Sequence, residues 1–404
     1  MSQPLPRLRM NLDFMPSPME DRPGLLIRDS YGYSDAVLIV PPPLVACLEF
    51  FDGQHTDLDL KEMLVRLTGE LDVAPILDGL SEALGAAGFL HDETYEALRE
   101  HAERDFAEAA LREASHAGSA YPDDPATLRE TLSEYMKGPE SEAEGSDLIA
   151  IVAPHVSPFG GWESYREAYS ALGEAHRDRV FVILGTSHYG EPDCYGLTRK
   201  PYVTPYGTVR PELDLINELA VERAVKMEDY CHAIEHSIEF QILFLQHLYG
   251  PDVRVLPILV GSYARSIHSG GLPEENEGVA RFLGKLGEIG AREGNKLLWV
   301  LGIDMAHMGA RYGDEFEAQA KLGRMNYVEE RDKARIDRVN AADARGFWDL
   351  VQENRDDLKW CGSSPLYTFL RAMPNARGSL RRYDQWNIDD RSVVSFGAMS
   401  FRPA

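Results

Sequence analysis

The run Leu297-Leu298-Trp299-Val300-Leu301-Gly302-Ile303-Asp304-Met305-Ala306-His307-Met308-Gly309 decides how this chain is read. Its opening residues carry almost no polar side-chain atom and are too few to cross a bilayer, and their β-branched and aromatic members suit a strand buried on both faces. Asp304 and His307 then fall just past the carboxyl end of that strand, where open α/β sheets bind ligands. Two further segments repeat the layout: Asp147-Leu148-Ile149-Ala150-Ile151-Val152-Ala153-Pro154-His155 and Arg179-Val180-Phe181-Val182-Ile183-Leu184-Gly185-Thr186-Ser187-His188. Each is a buried-strand pattern that ends on a histidine. Three such strands in one sheet bring His155, His188, Asp304 and His307 to a common rim.

Outward from these strands, apolar runs and helical periodicity alternate to the end of the chain. That alternation predicts an α/β layered domain whose central sheet is largely parallel or mixed and is flanked by helices. At 404 residues the chain is long for one domain, and it divides into a small N-terminal domain over residues 1–112 and a larger one over 113–404. Residues 1 to about 24, rich in Pro and Met, read as a loosely held arm. Leu25–Asp29 and Ala36–Val40 read as a hairpin, and Leu44–Phe51, Leu58–Gly69 and Val73–Gly88 carry helical periodicity. This hairpin-then-helices layout resembles the small α+β winged-helix-like domains of the PqqD type, which bind peptides; a helical cap on the larger domain is the alternative. The charged, Ala-rich stretch from Thr94 to Ala117 predicts a connecting helix. Pro122-Asp123-Asp124-Pro125 predicts a turn and a helix cap, and the acid-rich Gly138–Asp147 a solvated loop.

The formal net charge of −25 is not offset by any Lys/Arg cluster, which excludes a nucleic-acid groove. No apolar run reaches membrane-spanning length, and no signal-peptide core is visible. The four cysteines, Cys47, Cys194, Cys231 and Cys361, are widely spaced with no CxxC pair, which fits a reducing compartment. A cytoplasmic protein is expected.

The groups that carry chemistry lie at the predicted strand ends. His155 sits between Pro154 and the Gly160-Gly161 turn, and His188 closes Gly185-Thr186-Ser187-His188. Taken singly, each histidine is more often a hydrogen-bonded loop residue; two at equivalent strand ends point to a site. Asp304 and His307 are close enough to bind a metal or to orient one another for proton transfer, and sequence alone leaves both roles open. Glu235-His236-Ser237-Ile238-Glu239 is read as the opening of a helix, dense in polar groups beyond what capping of its N-terminus needs. Cys361 precedes Gly362-Ser363-Ser364-Pro365, a helix start that would lower its thiol pKa and make it a thiolate ligand. Neither a Walker loop, a GxGxxG fingerprint, a GxSxG elbow nor an HExxH helix occurs, so phosphoryl transfer, dinucleotide binding and serine hydrolysis have no support.

In order along the chain, Ala117-Gly118-Ser119-Ala120-Tyr121, Pro154-His155, Leu184-Gly185-Thr186-Ser187-His188, Thr204-Pro205-Tyr206-Gly207, Glu235-His236-Ser237-Ile238-Glu239, Asp304-Met305-Ala306-His307, Cys361-Gly362 and Ser392-Val393-Val394-Ser395-Phe396-Gly397 resemble the motif series of the Memo family, also called AmmeMemoRadiSam system protein B. The resemblance runs from about residue 115 to 402. It implies a fold similar to the class III extradiol dioxygenases of the LigB type and a metal site. By motif, His155, His188 and Cys361 correspond to the metal ligands, with Asp304, His307, Glu235 and His236 as the catalytic groups around them. The resemblance implies iron(II) or copper, with zinc as a further choice, since imidazole with thiolate suits copper and imidazole with carboxylate suits iron(II). It implies a non-haem redox enzyme, dioxygenase-like, acting on a small molecule or peptide, with radical-SAM and other AmmeMemoRadiSam system proteins as partners. The competing reading is a binding module that holds a peptide without turnover. Three positions depart from the family pattern: Tyr189 stands where a second histidine is frequent, Met305-Ala306 replaces a frequent Phe-Cys, and Ser363 replaces a frequent Arg.

Overall fold

The structure is a computed structural model that describes residues 4–19, 21–138 and 145–404; most of the predicted acid-rich loop, residues 139–144, lies outside them. The chain forms two compact units, Met1–Glu108 and Ala109–Ala404. The second unit therefore takes in Arg112, which the sequence division left at the tail of the first.

In the first unit, strands β1 (Asp13–Pro16), β2 (Leu25–Arg28) and β3 (Val37–Val40) pair antiparallel in the order β1-β2-β3. The predicted hairpin is present, but the predicted arm is not loose. Leu5, Leu8 and Leu12 are buried with the helices of this unit. Arg9 is 0% exposed, held by Asp29 at 2.9 Å and stacked 4.3 Å from the Tyr95 ring centre. Spaced leucines and one paired arginine are a weak signal in a Pro-rich stretch, which is why pattern reading missed them. The helix Asp57–Thr68 opens on a capping box between Thr56 and Asp59 and ends on left-handed Gly69, as its sequence dictates. Pro42–Phe50 is a 3-10 helix rather than an α-helix. The predicted connecting helix stops at Glu108.

The second unit is built on an eleven-stranded mixed sheet. Its strands are β4 (Ala150–Ala153), β5 (Val180–Thr186), β6 (Tyr195–Leu197), β7 (Tyr202–Thr204), β8 (Gly207–Pro211) and β9 (Val225–Met227). They are followed by β10 (Arg254–Val260), β11 (Leu297–Gly302), β12 (His307–Gly309), β13 (Ala376–Asp389) and β14 (Ser392–Pro403). The central order is β14-β4-β11-β5-β10, in which β4, β11, β5 and β10 are parallel and β14 is antiparallel to β4. The predicted mixed α/β sheet flanked by helices is what the chain forms.

The alternation within each strand explains why these runs read as continuously apolar. Val180, Val182 and Leu184 face one core layer, and Phe181 and Ile183 face the other. In β11 the same division puts Leu297, Trp299 and Leu301 on the first face and Leu298 and Val300 on the second. A strand covered by helices on both sides buries every residue. Each such side chain contributes roughly 1.5–3 kcal/mol relative to exposure.

Register sets the level of the strand ends. Gly302 of β11 lies opposite Ala153 of β4 on one side and Gly185 of β5 on the other. The residues that follow, His155, Asp304 and His188, leave the sheet from nearly the same height. The loop Glu235–Ile238 then crosses over this row. A Cβ on Gly185 would meet Ser237 Oγ at 2.6 Å and Ile238 at 2.7 Å, and one on Gly302 would strike the Ser237 carbonyl. Both glycines are required by close approach. Gly185→Ala is expected to lower stability by about 1–3 kcal/mol through overpacking, read as a fall in the urea midpoint; an unchanged midpoint would contradict the packing described.

Candidate metal centre

Each strand end delivers its histidine in a defined tautomer. His155 Nδ1 lies 2.9 Å from the Gly302 carbonyl; a carbonyl only accepts, so Nδ1 donates and Nε2 keeps its lone pair. The His155 amide donates to Asp304 Oδ1 at 2.9 Å, and Asp304 Oδ2 stands 3.5 Å from His155 Nε2. Burial, with His188 beside it, pushes the His155 pKa well down. The imidazole is therefore neutral, as a ligand must be.

His188 is held by a different device. Glu235 takes the His188 amide with one carboxylate oxygen and His188 Nδ1 with the other at 2.9 Å. Burial opposes charge on this ring, but the Glu235 carboxylate and the Cys361 thiol outweigh it and raise its pKa. A carboxylate behind an imidazole is the arrangement that orients histidine ligands in metal sites.

His236 completes the group. Its ring stacks on that of His188 with centres 5.2 Å apart and meets His155 edge-on at 5.1 Å. The ligand atoms of His155, His188 and His236 all lie within 4.8 Å of one another. Burial and the neighbouring imidazoles push the His236 pKa well down. His155 is buried and His236 half-buried, while the His188 side chain keeps 28% of its surface exposed, so the cluster reaches solvent at His188.

Cys361 arrives from the far side. Its Sγ lies 3.3 Å from His155 Nε2, and its carbonyl accepts from Thr186 Oγ1 at 3.2 Å. The following helix does begin at Ser363, but the expected lowering of the thiol pKa does not follow. Burial raises it, against the opposing effect of His188. Desolvation of a thiolate outweighs a helix terminus here.

His307 begins β12, which pairs with β14. Its Nδ1 is 2.9 Å from the Met305 carbonyl and 3.1 Å from that of Lys359, leaving Nε2 as an acceptor. Its ring packs edge-on against Tyr312 at 5.0 Å, and burial, aided by His188, lowers its pKa to about 4. Burial raises the Asp304 carboxyl to about 7, against the amides of His155 and Val156.

The segment Glu235–Glu239 departs from the sequence reading. A helical turn ends at Ile234, and the next helix starts only at Glu239. Glu235 and Glu239 therefore do not share a helix face. Glu235 turns to His188, whereas Glu239 is paired with Arg112 and accepts from the Tyr121 hydroxyl, Ser115 Oγ at 3.1 Å and the His116 amide at 3.1 Å. Arg112 also donates to the His232 and Glu235 carbonyls at 2.7 and 2.9 Å. Sequence reasoning missed Arg112, which lies far from its partners in the chain. His116 was missed too; its ring meets His236 at 5.5 Å. The Ser187 hydroxyl, next to His188 in the chain, is buried with no hydrogen bond among the described residues.

Of the sequence-predicted residues, the structure thus gathers His155, His188, His236, Asp304, His307 and Cys361 in one pocket, with Glu235 directly behind His188. Imidazole nitrogens beside a thiol form a donor set that a transition-metal ion fits. No helix among the described residues is long and apolar enough to cross a membrane.

A family model described as Memo-like protein matches residues 112–400. A MEMO1 family protein of Aquifex aeolicus is 26% identical over 388 residues, spanning 93% of this chain and 95% of its own length. One from Desulfurococcus amylolyticus is 27% identical over 70% of this chain and 96% of its own length. A third, from Pyrococcus furiosus, is 31% identical over 62% of this chain and 83% of its own. The Aquifex alignment extends into the first unit of the present chain, whereas the Desulfurococcus protein is nearly used up by a match of second-unit size.

Arg112→Met would leave the Glu239 carboxylate buried without its partner. A loss of about 3–5 kcal/mol is expected in chemical denaturation, and a loss below about 1 kcal/mol would show the pair to be dispensable.

Proposed function

This chain belongs to the Memo family, and on that premise we propose that it binds a transition-metal ion through His155, His188, His236 and Cys361 and acts as a non-haem redox protein on a small or peptidic substrate. One observation carries the reading. Three imidazole ligand atoms lie within 4.8 Å of one another, and a thiol sulfur stands 3.3 Å from the lone-pair nitrogen of His155. Iron or copper, when bound, supplies electron transfer, which none of these side chains offers by itself.

The remaining residues handle position and protons. Glu235 holds His188 by its amide and its ring together, which removes rotation of that ligand. Asp304, with its carboxyl raised to about 7, can store a proton near neutral pH. His307 presents Nε2 as an acceptor because its other nitrogen is tied to two carbonyls. The two lie on one loop, so a proton released by substrate has an acceptor at hand. The exposed face at His188 is where substrate enters.

The test is metal content after anaerobic purification, measured by element-resolved mass spectrometry. Wild type is expected to retain iron or copper in stoichiometric amount, and His155→Ala and Cys361→Ala each to lose it. Metal content unchanged by both substitutions would defeat the assignment, and zinc alone in the wild type would replace redox chemistry with hydrolysis by metal-bound water.

A further inference from the structure

Beneath the pocket lies a carboxylate that plays no part in the chemistry above. Asp332, on the helix Arg324–Asn340, is 0% exposed. Its Oδ1 accepts from Trp360 Nε1 at 2.6 Å. Its Oδ2 accepts from Ser395 Oγ at 2.6 Å and from the Tyr383 hydroxyl at 2.8 Å. Three donors thus converge on it from the loop before Cys361, from β14 and from β13.

Two of these donors lead directly to the pocket. Trp360 immediately precedes Cys361, and its ring is backed by the Arg335 guanidinium 5.3 Å away, itself fixed by Asp356 at 2.7 Å. Ser395 holds the Asp304–His307 loop: its Oγ accepts from the Ala306 amide at 2.8 Å. Its own amide donates to the Ala306 carbonyl at 2.9 Å, and its carbonyl accepts from the Met305 amide at 2.8 Å. The loops also meet each other, since the Gly362 amide donates to the Asp304 carbonyl at 3.0 Å. One buried carboxylate is therefore common to the loop that carries the thiol and the loop that carries Asp304 and His307.

We propose that Asp332 is a positioning residue that sets where the Cys361 thiol stands relative to Asp304 and His307. The inference rests on the metal-centre reading for its purpose, though not for its geometry. Hydrogen bonds to a buried carboxylate are short and strong, and they fix direction as well as distance. Trp360→Phe removes the indole donor and keeps an aromatic ring over Arg335, freeing the thiol loop from Asp332. Asp332→Asn exchanges one acceptor oxygen for an amide donor, so either the Trp360 indole or the Ser395 and Tyr383 hydroxyls lose their acceptor.

The test measures alkylation of the metal-free full-length chain by iodoacetamide, with Cys361 and Cys194 followed separately by peptide mass spectrometry. Cys194 also lies partly exposed, in the loop before β6, and serves as the internal reference. Trp360→Phe and Asp332→Asn are expected to raise the Cys361 rate about tenfold, equivalent to about 1.4 kcal/mol of restraint, and to leave Cys194 unchanged. A parallel rise at both thiols means general loosening and overturns the proposal, as does no change at either. Should Asp332→Asn fail to fold, Trp360→Phe decides alone. In a copper(I) or iron(II) titration the same variants are expected to bind about 10–100-fold more weakly than wild type; equal affinity overturns the proposal. A wild type that takes up neither metal sinks the metal-centre reading, while the alkylation result still decides the role of Asp332.

Discussion

The levelling of three parallel strands governs this molecule. Because Ala153, Gly302 and Gly185 stand in one row across β4, β11 and β5, the residues that leave the sheet from those strands do so side by side. Backbone hydrogen bonding sets that row, and two core layers hold it in place. A slip of one residue in any of the three would turn its side chains to the opposite face and carry its histidine or aspartate away from the others. The pocket is thus a consequence of register before it is a matter of side-chain chemistry.

Around that row the protein spends its buried polar groups on orientation. The Gly302 carbonyl fixes His155, Glu235 fixes His188, and two carbonyls fix His307. Asp332 joins the loops that bring Cys361 and the Asp304–His307 pair. The Arg112–Glu239 pair anchors the segment from which Glu235 and His236 project. Buried charges without such partners would cost several kcal/mol each, so the network is also part of what keeps the second unit folded.

Much of this was legible in the chain. The three apolar runs ending on His155, His188 and Asp304 were read as buried strands and are strands, because two-sided burial leaves no polar alternation. Asp124 before Pro125 announced its helix start through capping chemistry that is local by nature. Other readings failed where local pattern competes with distant contacts. Glu235 and Glu239 looked like neighbours on one helix, yet the chain breaks between them because His188 and Arg112 pull them in different directions. The Pro-rich N-terminal stretch looked unattached because Arg9 finds Asp29 and Tyr95 only after folding.

The order of apolar runs and the ligand-type residues that close them are properties of the sequence itself, since burial and residue chemistry are written position by position. Which strands become neighbours, at what register, and so which donors share a pocket belong to the tertiary structure. The reason is physical: a hydrogen-bonded sheet sets residues far apart in the chain at one height, and no local pattern encodes that height. His236 and Cys361 reach the histidines that follow β4 and β5 from loops between or before helices, and burial of the Cys361 thiol, which raises its pKa, is likewise set by what the fold places around it.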